Sequence, residues 1–173
     1  MSMIDYPLDK IKGIVFDVDG VLSPAVVPLG EDGIPRRMAN LKDGQAIVLA
    51  TRLGYKIAVI TGAVAPGLQE RFKICGIQDF YAGRLDKLIV LKEWMAKYDL
   101  EKDQVAYVGD DLPDTPSMRY VGLAVAPADA CRDAMEAADY VTTAIGGHGV
   151  ARELLEQIMR AQNTWPTAEK AFG

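Results

Sequence analysis

Apolar residues in this chain fall into short runs, each followed by a loop rich in Gly or Asp and then by a stretch with helical spacing. The runs cover residues 11–16, 56–60, 104–108 and 123–125, with weaker ones at 79–81 and 140–141. They are continuous rather than alternating, as expected of parallel strands covered on both faces. Residues 43–53, 66–75, 87–98 and 150–162 are predicted helices. Gly54 and Gly76 end the first two, since glycine adopts the left-handed conformation of a helix stop at little cost. Pro66 suits a first helical turn, where its missing N–H would lack a partner anyway. Leu88, Leu91, Trp94, Met95 and Tyr98 form a core-facing stripe, as do Leu154, Leu155 and Ile158. Strands alternating with helices predict an α/β layered fold with right-handed crossovers and a mostly parallel sheet.

Two segments break the rhythm. Within residues 24–39, extended arms at 25–29 and 34–38 flank Gly30-Glu31-Asp32-Gly33, predicting a β-hairpin inserted after the first strand. The bland alternative is a decorative surface loop. Residues 163–173 lack periodicity and contain Pro166, predicting a C-terminal tail with Trp165 and Phe172 as apolar anchors.

Composition narrows the class. A chain of 173 residues, half hydrophobic and a quarter charged, suits one globular domain spanning 1–173. Its net charge of -5 argues against a nucleic-acid partner, whose backbone demands clustered Lys and Arg. No stretch has a signal-peptide layout or reaches the ~18–20 apolar residues of a membrane span. Cys75 and Cys131 lie far apart without metal-ligand spacing, so they read as reduced thiols of a cytoplasmic protein.

Candidate chemistry gathers where predicted strands end, the place where ligands bind in open α/β sheets. The first strand runs into Asp17-Val18-Asp19-Gly20. Aspartates beside a core strand are seldom packing residues unless paired or metal-bound, although two solvated turn aspartates would look the same. An EF-hand calcium loop is excluded, because its glycine belongs at the sixth position and Gly20 stands fourth from Asp17. The second strand ends in Thr61-Gly62, whose hydroxyl and N–H groups suit a phosphate oxygen but are also common at strand ends. Lys87 opens a predicted helix, the end where a cation is locally unfavourable; this hints at an anion, though it also fits a solvated lysine. The 104–108 strand ends in Gly109-Asp110-Asp111-Leu112-Pro113-Asp114. Helix-dipole compensation accounts for Asp111 and Asp114 but not for all three acids, whose crowding calls for a cation such as Mg²⁺.

In this order the motifs resemble the haloacid dehalogenase superfamily of phosphohydrolases, over nearly the whole chain. That resemblance implies a Rossmann-like three-layer sandwich and a Mg²⁺-dependent phosphatase acting through an aspartyl-phosphate. It makes Asp17 the nucleophile and Asp19 the general acid/base. Asp17, the Asp19 backbone carbonyl and Asp110 would hold Mg²⁺, with Asp111 and Asp114 in support; Thr61, Gly62 and Lys87 would bind the phosphoryl group. Fewer residues separate Gly20 from Thr61 than the ~50 of a small domain, so no cap domain is expected. The chain is thus similar to the capless branch, whose members act on 3-deoxy-D-manno-octulosonate 8-phosphate or on nonulosonate 9-phosphates. Further matches are Lys42-Asp43-Gly44, Gly83-Arg84-Leu85-Asp86-Lys87-Leu88 and Gly146-Gly147-His148-Gly149-Val150. The branch implies a small acidic sugar phosphate as substrate and a homotetramer, with hairpin and tail closing a neighbour's site.

Ala63 stands where the octulosonate enzymes commonly carry Arg and the nonulosonate enzymes Glu; His148 stands where Arg is common. Arg36, Arg37, Lys42 and Arg84 are therefore candidates for holding the sugar carboxylate, with His148 as a loop or tail contact. Each also fits a solvated surface base. Two non-enzymatic alternatives share the fold: a phospho-acceptor signalling domain and a silent scaffold. The first would place its acceptor Asp at a later strand end, where this chain has Thr61.

Overall fold

The computed structural model describes residues 2–170. Six strands form one sheet: β1 (Gly13–Phe16), β2 (Lys56–Ile60), β3 (Asp79–Tyr81), β4 (Val105–Val108), β5 (Leu123–Ala126) and β6 (Tyr140–Val141). Six helices accompany them: α1 (Leu41–Arg52), α2 (Pro66–Ile74), α3 (Lys87–Lys97), α4 (Thr115–Met118), α5 (Arg132–Ala137) and α6 (Val150–Ala161). Every strand pairing is parallel, in the order β3-β2-β1-β4-β5-β6.

Strand residues alternate between two buried layers. Ile14, Phe16, Val59 and Val108 pack with α1, α2 and α6, whereas Val15, Ile60, Val105 and Tyr107 pack with α3, α4 and α5. Both faces are covered, which explains why the apolar runs show no polar alternation. Burying side chains such as Phe16, Leu91 and Trp94 contributes roughly 1.5–3 kcal/mol each. The chain winds outward from β1 to β3, then returns across β1 to lay down β4. A crevice therefore opens between the carboxyl ends of β1 and β4, where Phe16 lies level with Val108.

Between β1 and β2 the described residues build α1 and a surface strap, with no separate cap domain. The expected hairpin is looser than two strands. Leu29 and Pro35 form a single antiparallel bridge, and the Arg36 N–H donates to the Pro28 carbonyl at 2.8 Å. Pro28 and Pro35 cannot donate from their backbone nitrogens, and an isolated two-stranded ribbon has little stability of its own. In the tail, the N–H groups of Thr164 and Trp165 both reach the Met159 carbonyl, at 2.7 and 3.1 Å. The Trp165 ring lies on α6 between Arg152 and Arg160, 4.7 and 5.4 Å from its centroid. Phe172 lies outside the described residues. Among those described, no helix is long and apolar enough to cross a membrane.

Candidate active site

Four loops at the carboxyl edge of the sheet build a cleft of about 500 Å³ whose lining includes Asp17, Asp19, Thr61, Lys87, Asp110 and Asp114. Asp17 leaves β1 with its N–H on the Val108 carbonyl at 3.1 Å, so the β1–β4 pairing itself fixes its start. Its Oδ1 accepts from the Val18 N–H at 2.6 Å, and its Oδ2 forms an ion pair with Lys87 Nζ at 2.7 Å. Lys87 stands in the first turn of α3 and is buried. It also donates to Asp114 Oδ1 at 2.8 Å, so two carboxylates outweigh the unfavourable helix end.

Asp114 is fully buried and fully engaged. Tyr107 Oη donates to the same Oδ1 at 2.8 Å, while the N–H groups of Asp110 and Asp111 donate to Oδ2 at 3.2 and 3.4 Å. Tyr107 was not singled out from the sequence; a phenol within an otherwise apolar strand run was the available signal.

Asp17, Asp110 and Asp114 each offer an oxygen within 4.8 Å of the others. Burial, followed by the charge of Asp114, pushes the Asp17 carboxyl up to about 8 against the pull of Lys87. Burial and then the charges of Asp114 and Asp111 push Asp110 up to about 7. Lys87 is raised despite its burial, because Asp17 and Asp114 hold its proton. Three carboxylates thus face one ammonium, and the surplus negative charge on hard oxygen donors fits a divalent cation. Gly20 makes room for the cluster: at φ +76° it faces the Asp110 carboxylate, with which any Cβ would collide.

The remaining predicted residues divide. Thr61 is buried, and its Oγ1 accepts from the Ala63 N–H at 3.1 Å; Gly62 beside it is exposed on the cleft wall. The Asp19 side chain turns to Arg37, which donates from Nε to Oδ1 at 2.7 Å and from Nη2 to Oδ2 at 3.0 Å. Asp111 is exposed and accepts from the Leu112 N–H at 2.8 Å, capping the next turn. Arg36 pairs with Asp32 on the strap, and Arg84 pairs with Asp86 beside the cleft. Lys42 and His148 are exposed and line no part of the cleft; His148 Nδ1 lies 2.8 Å from the Gly146 carbonyl oxygen. A groove of about 400 Å³ between strap and α2 adjoins the cleft through Arg37 and is bordered by Arg36 and Arg71. Arg71 had no sequence signal beyond its charge. A further groove of about 310 Å³, at the amino ends of β1 and β2, is lined by lysines and tyrosines but no carboxylate.

A parallel sheet that brings an aspartate from β1, a lysine and a second acidic loop together is the architecture of a phosphoryl-handling hydrolase. Residues 75–154 match the family model of haloacid dehalogenase-like hydrolases. The chain belongs to that family and is a phosphatase. Its relatives include the 3-deoxy-D-manno-octulosonate 8-phosphate phosphatase KdsC of Escherichia coli, 39% identical over 154 residues that cover 89% of this chain and 82% of that one. A probable YrbI-family phosphatase from Pseudomonas syringae superposes with a TM-score of 0.89 at 41% identity, covering 96% of this chain and 94% of that one. A 3-deoxy-D-manno-octulosonate 8-phosphate phosphatase from Moraxella catarrhalis, solved with magnesium, phosphate and KDO, gives 0.86 at 33% identity, covering 91% of this chain and 90% of that one.

Proposed function

We propose that this chain, read as one domain, is a cytoplasmic Mg²⁺-dependent phosphatase that hydrolyses 3-deoxy-D-manno-octulosonate 8-phosphate through a phosphoryl group carried on Asp17. The observation that carries the reading is the convergence of Asp17, Lys87, Asp110 and Asp114 within one cleft, on a chain related to enzymes of that activity. Asp17 and Asp110 would hold the ion with the Asp19 carbonyl, and Asp114 would orient Lys87 beside them. Bound there, Mg²⁺ neutralises charge on the phosphoryl oxygens.

The chain's own groups then divide the chemistry. Lys87 and the Thr61–Gly62 turn hold the phosphoryl oxygens and place phosphorus in line with an Asp17 oxygen. The Asp17–phosphorus bond forms as the bond to the sugar oxygen breaks, and Asp19 delivers a proton to that oxygen. In the second step Asp19 takes a proton from water, whose oxygen attacks phosphorus and returns Asp17 as a carboxylate. Arg37, at the mouth of the cleft, suits the sugar carboxylate; Arg36, Lys42, Arg84 and His148 lie farther out, as contacts for the sugar or for a neighbouring subunit in a homotetramer. Ala63 on the cleft wall supports a second substrate class, the longer nonulosonate 9-phosphates, because a methyl group leaves space at that wall.

Comparing kcat/KM for octulosonate 8-phosphate, nonulosonate 9-phosphates and hexose 6-phosphates, with Mg²⁺ and after EDTA, tests the reading. The octulosonate ester should lead and EDTA should abolish turnover. Asp17→Asn and Asp110→Asn should each be inactive with an unchanged circular dichroism spectrum. Full activity in Asp17→Asn, with deamidation excluded by mass spectrometry, would remove the nucleophile.

A further inference from the structure

The contact between Arg37 and Asp19 has a consequence for substrate choice. Of the guanidinium's five N–H donors, Asp19 takes the Nε–Nη2 edge on both oxygens, and Nη1 donates to the Pro35 carbonyl at 3.4 Å. A new bidentate partner for the Nε–Nη2 edge must therefore displace Asp19. No other side-chain donor reaches the Asp19 carboxylate among the described residues, so Arg37 sets its orientation. The pair is no loose surface contact on the arginine side, where the side chain is 13% exposed while that of Asp19 is 49% exposed.

Within the cleft lining the basic side chains are Lys87 and Arg37. Lys87 already serves two buried carboxylates, so a second acidic group on a substrate has Arg37 as its available partner. Elsewhere in the cleft that group would meet Asp17, Asp110, Asp111 and Asp114. Arg37 also faces the adjoining groove, whose lining carries Arg36 and Arg71 and no acid. An incoming carboxylate in that groove therefore meets no competing acid next to Arg37. The strap backbone is tied on either side of Arg37, by the Arg36 N–H on the Pro28 carbonyl at 2.8 Å and the Met38 N–H on Ser23 Oγ at 3.0 Å, so the exchange needs only side-chain rotation.

We propose that Arg37 determines specificity by exchanging partners: it clamps Asp19 in the free enzyme and lets it go when the carboxylate of an acidic sugar phosphate takes the guanidinium. Asp19 is then free to turn over the scissile oxygen. A neutral sugar phosphate has nothing to exchange and meets a clamped Asp19. This rests on the acidic-sugar-phosphate reading above, and adds that the free enzyme is held back against neutral esters.

The test compares two substrates with the same kind of alkyl leaving group, octulosonate 8-phosphate and glucose 6-phosphate, on wild type, Arg37→Met and Arg37→Lys with saturating Mg²⁺. Methionine keeps much of the stem and removes the fork. In Arg37→Met, kcat/KM for the acidic ester should fall at least tenfold, chiefly through KM, while that for glucose 6-phosphate rises severalfold through kcat. Arg37→Lys should fall between wild type and Arg37→Met on both substrates. Comparing two substrates on one preparation cancels any loss of folded enzyme. Equal loss on both would overturn the exchange and make Arg37 a general support; an unchanged ratio would overturn it too. If wild type turned over only the neutral ester, the octulosonate assignment would fall separately. The clamp would then stand on a rise for glucose 6-phosphate in Arg37→Met and fall on its absence.

Discussion

Lys87 is the residue on which the charge balance of the cleft turns. Its ammonium bridges Asp17 and Asp114 at 2.7 and 2.8 Å in a site nearly closed to water. Removing one partner from a buried ion cluster leaves uncompensated charge, typically costing about 3–5 kcal/mol. Lys87→Met should therefore lower stability on that order in urea unfolding without metal. It should also reduce kcat roughly 10²–10³-fold, the scale expected when a transition-state charge loses its donor. Asp43 offers a contrasting case. It is buried on α1, its Oδ1 accepts from the Arg152 N–H at 2.8 Å, and its Oδ2 has no hydrogen-bond partner among the described residues. Burial pushes its carboxyl up to about 6, against the pull of the Arg152 and Gly149 N–H groups. A carboxyl raised on folding favours the native state while protonated and weakens it as pH climbs through the raised value. The Tm of Asp43→Asn minus that of wild type should thus grow by a few °C between pH 5 and pH 8. At this scale the strand-end acids, Thr61 and Lys87 were legible, because polar residues interrupting apolar runs stand out. The Arg37–Asp19 pair was not, since it joins the strap to the β1 loop through contacts that no local spacing encodes.

At the scale of elements, the loop before α6 buttresses the β1 turn. The Gly147 N–H donates to the Val21 carbonyl at 2.8 Å, and Gly146 packs so closely that a Cβ there would strike the backbone of Gly20. Gly20 in turn abuts the Asp110 carboxylate. Glu153 steadies the near end of this loop, accepting from the Thr143 and Ala144 N–H groups at 3.0 Å each. Gly146→Ala should therefore lower kcat tenfold or more with KM little changed, because displacement passes to the aspartates rather than to the cleft mouth. Equal kcat in steady-state assays would show that the buttress is idle. The long helices and the strands were visible in the sequence to within a few residues, with glycine stops and buried stripes marking them. The short helices α4 and α5 were not, being too brief for a 3.6-residue period to register. The hairpin is looser than its extended arms suggest, because Pro28 and Pro35 deny it backbone donors.

For the whole molecule, the strap is the least self-sufficient part. Val26 is 88% exposed, and Leu29, Ile34 and Met38 also present apolar side chains to solvent. A row of this kind on a capless enzyme supports burial against sister chains, in line with the proposed tetramer. Light scattering should give about four chain masses, and Val26→Asp combined with Leu29→Asp should reduce that mass. A wild-type monomer at micromolar concentration would remove the strap from assembly. Layering, strand direction and the lack of a cap were all foreseeable, since they follow from run spacing and the short interval before Thr61. The resting place of Trp165 was not, because a lone aromatic in an aperiodic tail carries no address.

The strand order also dictates when the catalytic centre comes into being. Residues up to Tyr81 already contain the three strands of one wing, yet they hold Asp17 without Lys87, Asp110 or Asp114. The acidic cluster exists only once β4 zips onto β1, a distant pairing that carries a large loop-closure entropy. During synthesis, the emerging amino-terminal half would be blind to metal, and affinity for a divalent ion would switch on late, as a built-in readout of completed folding.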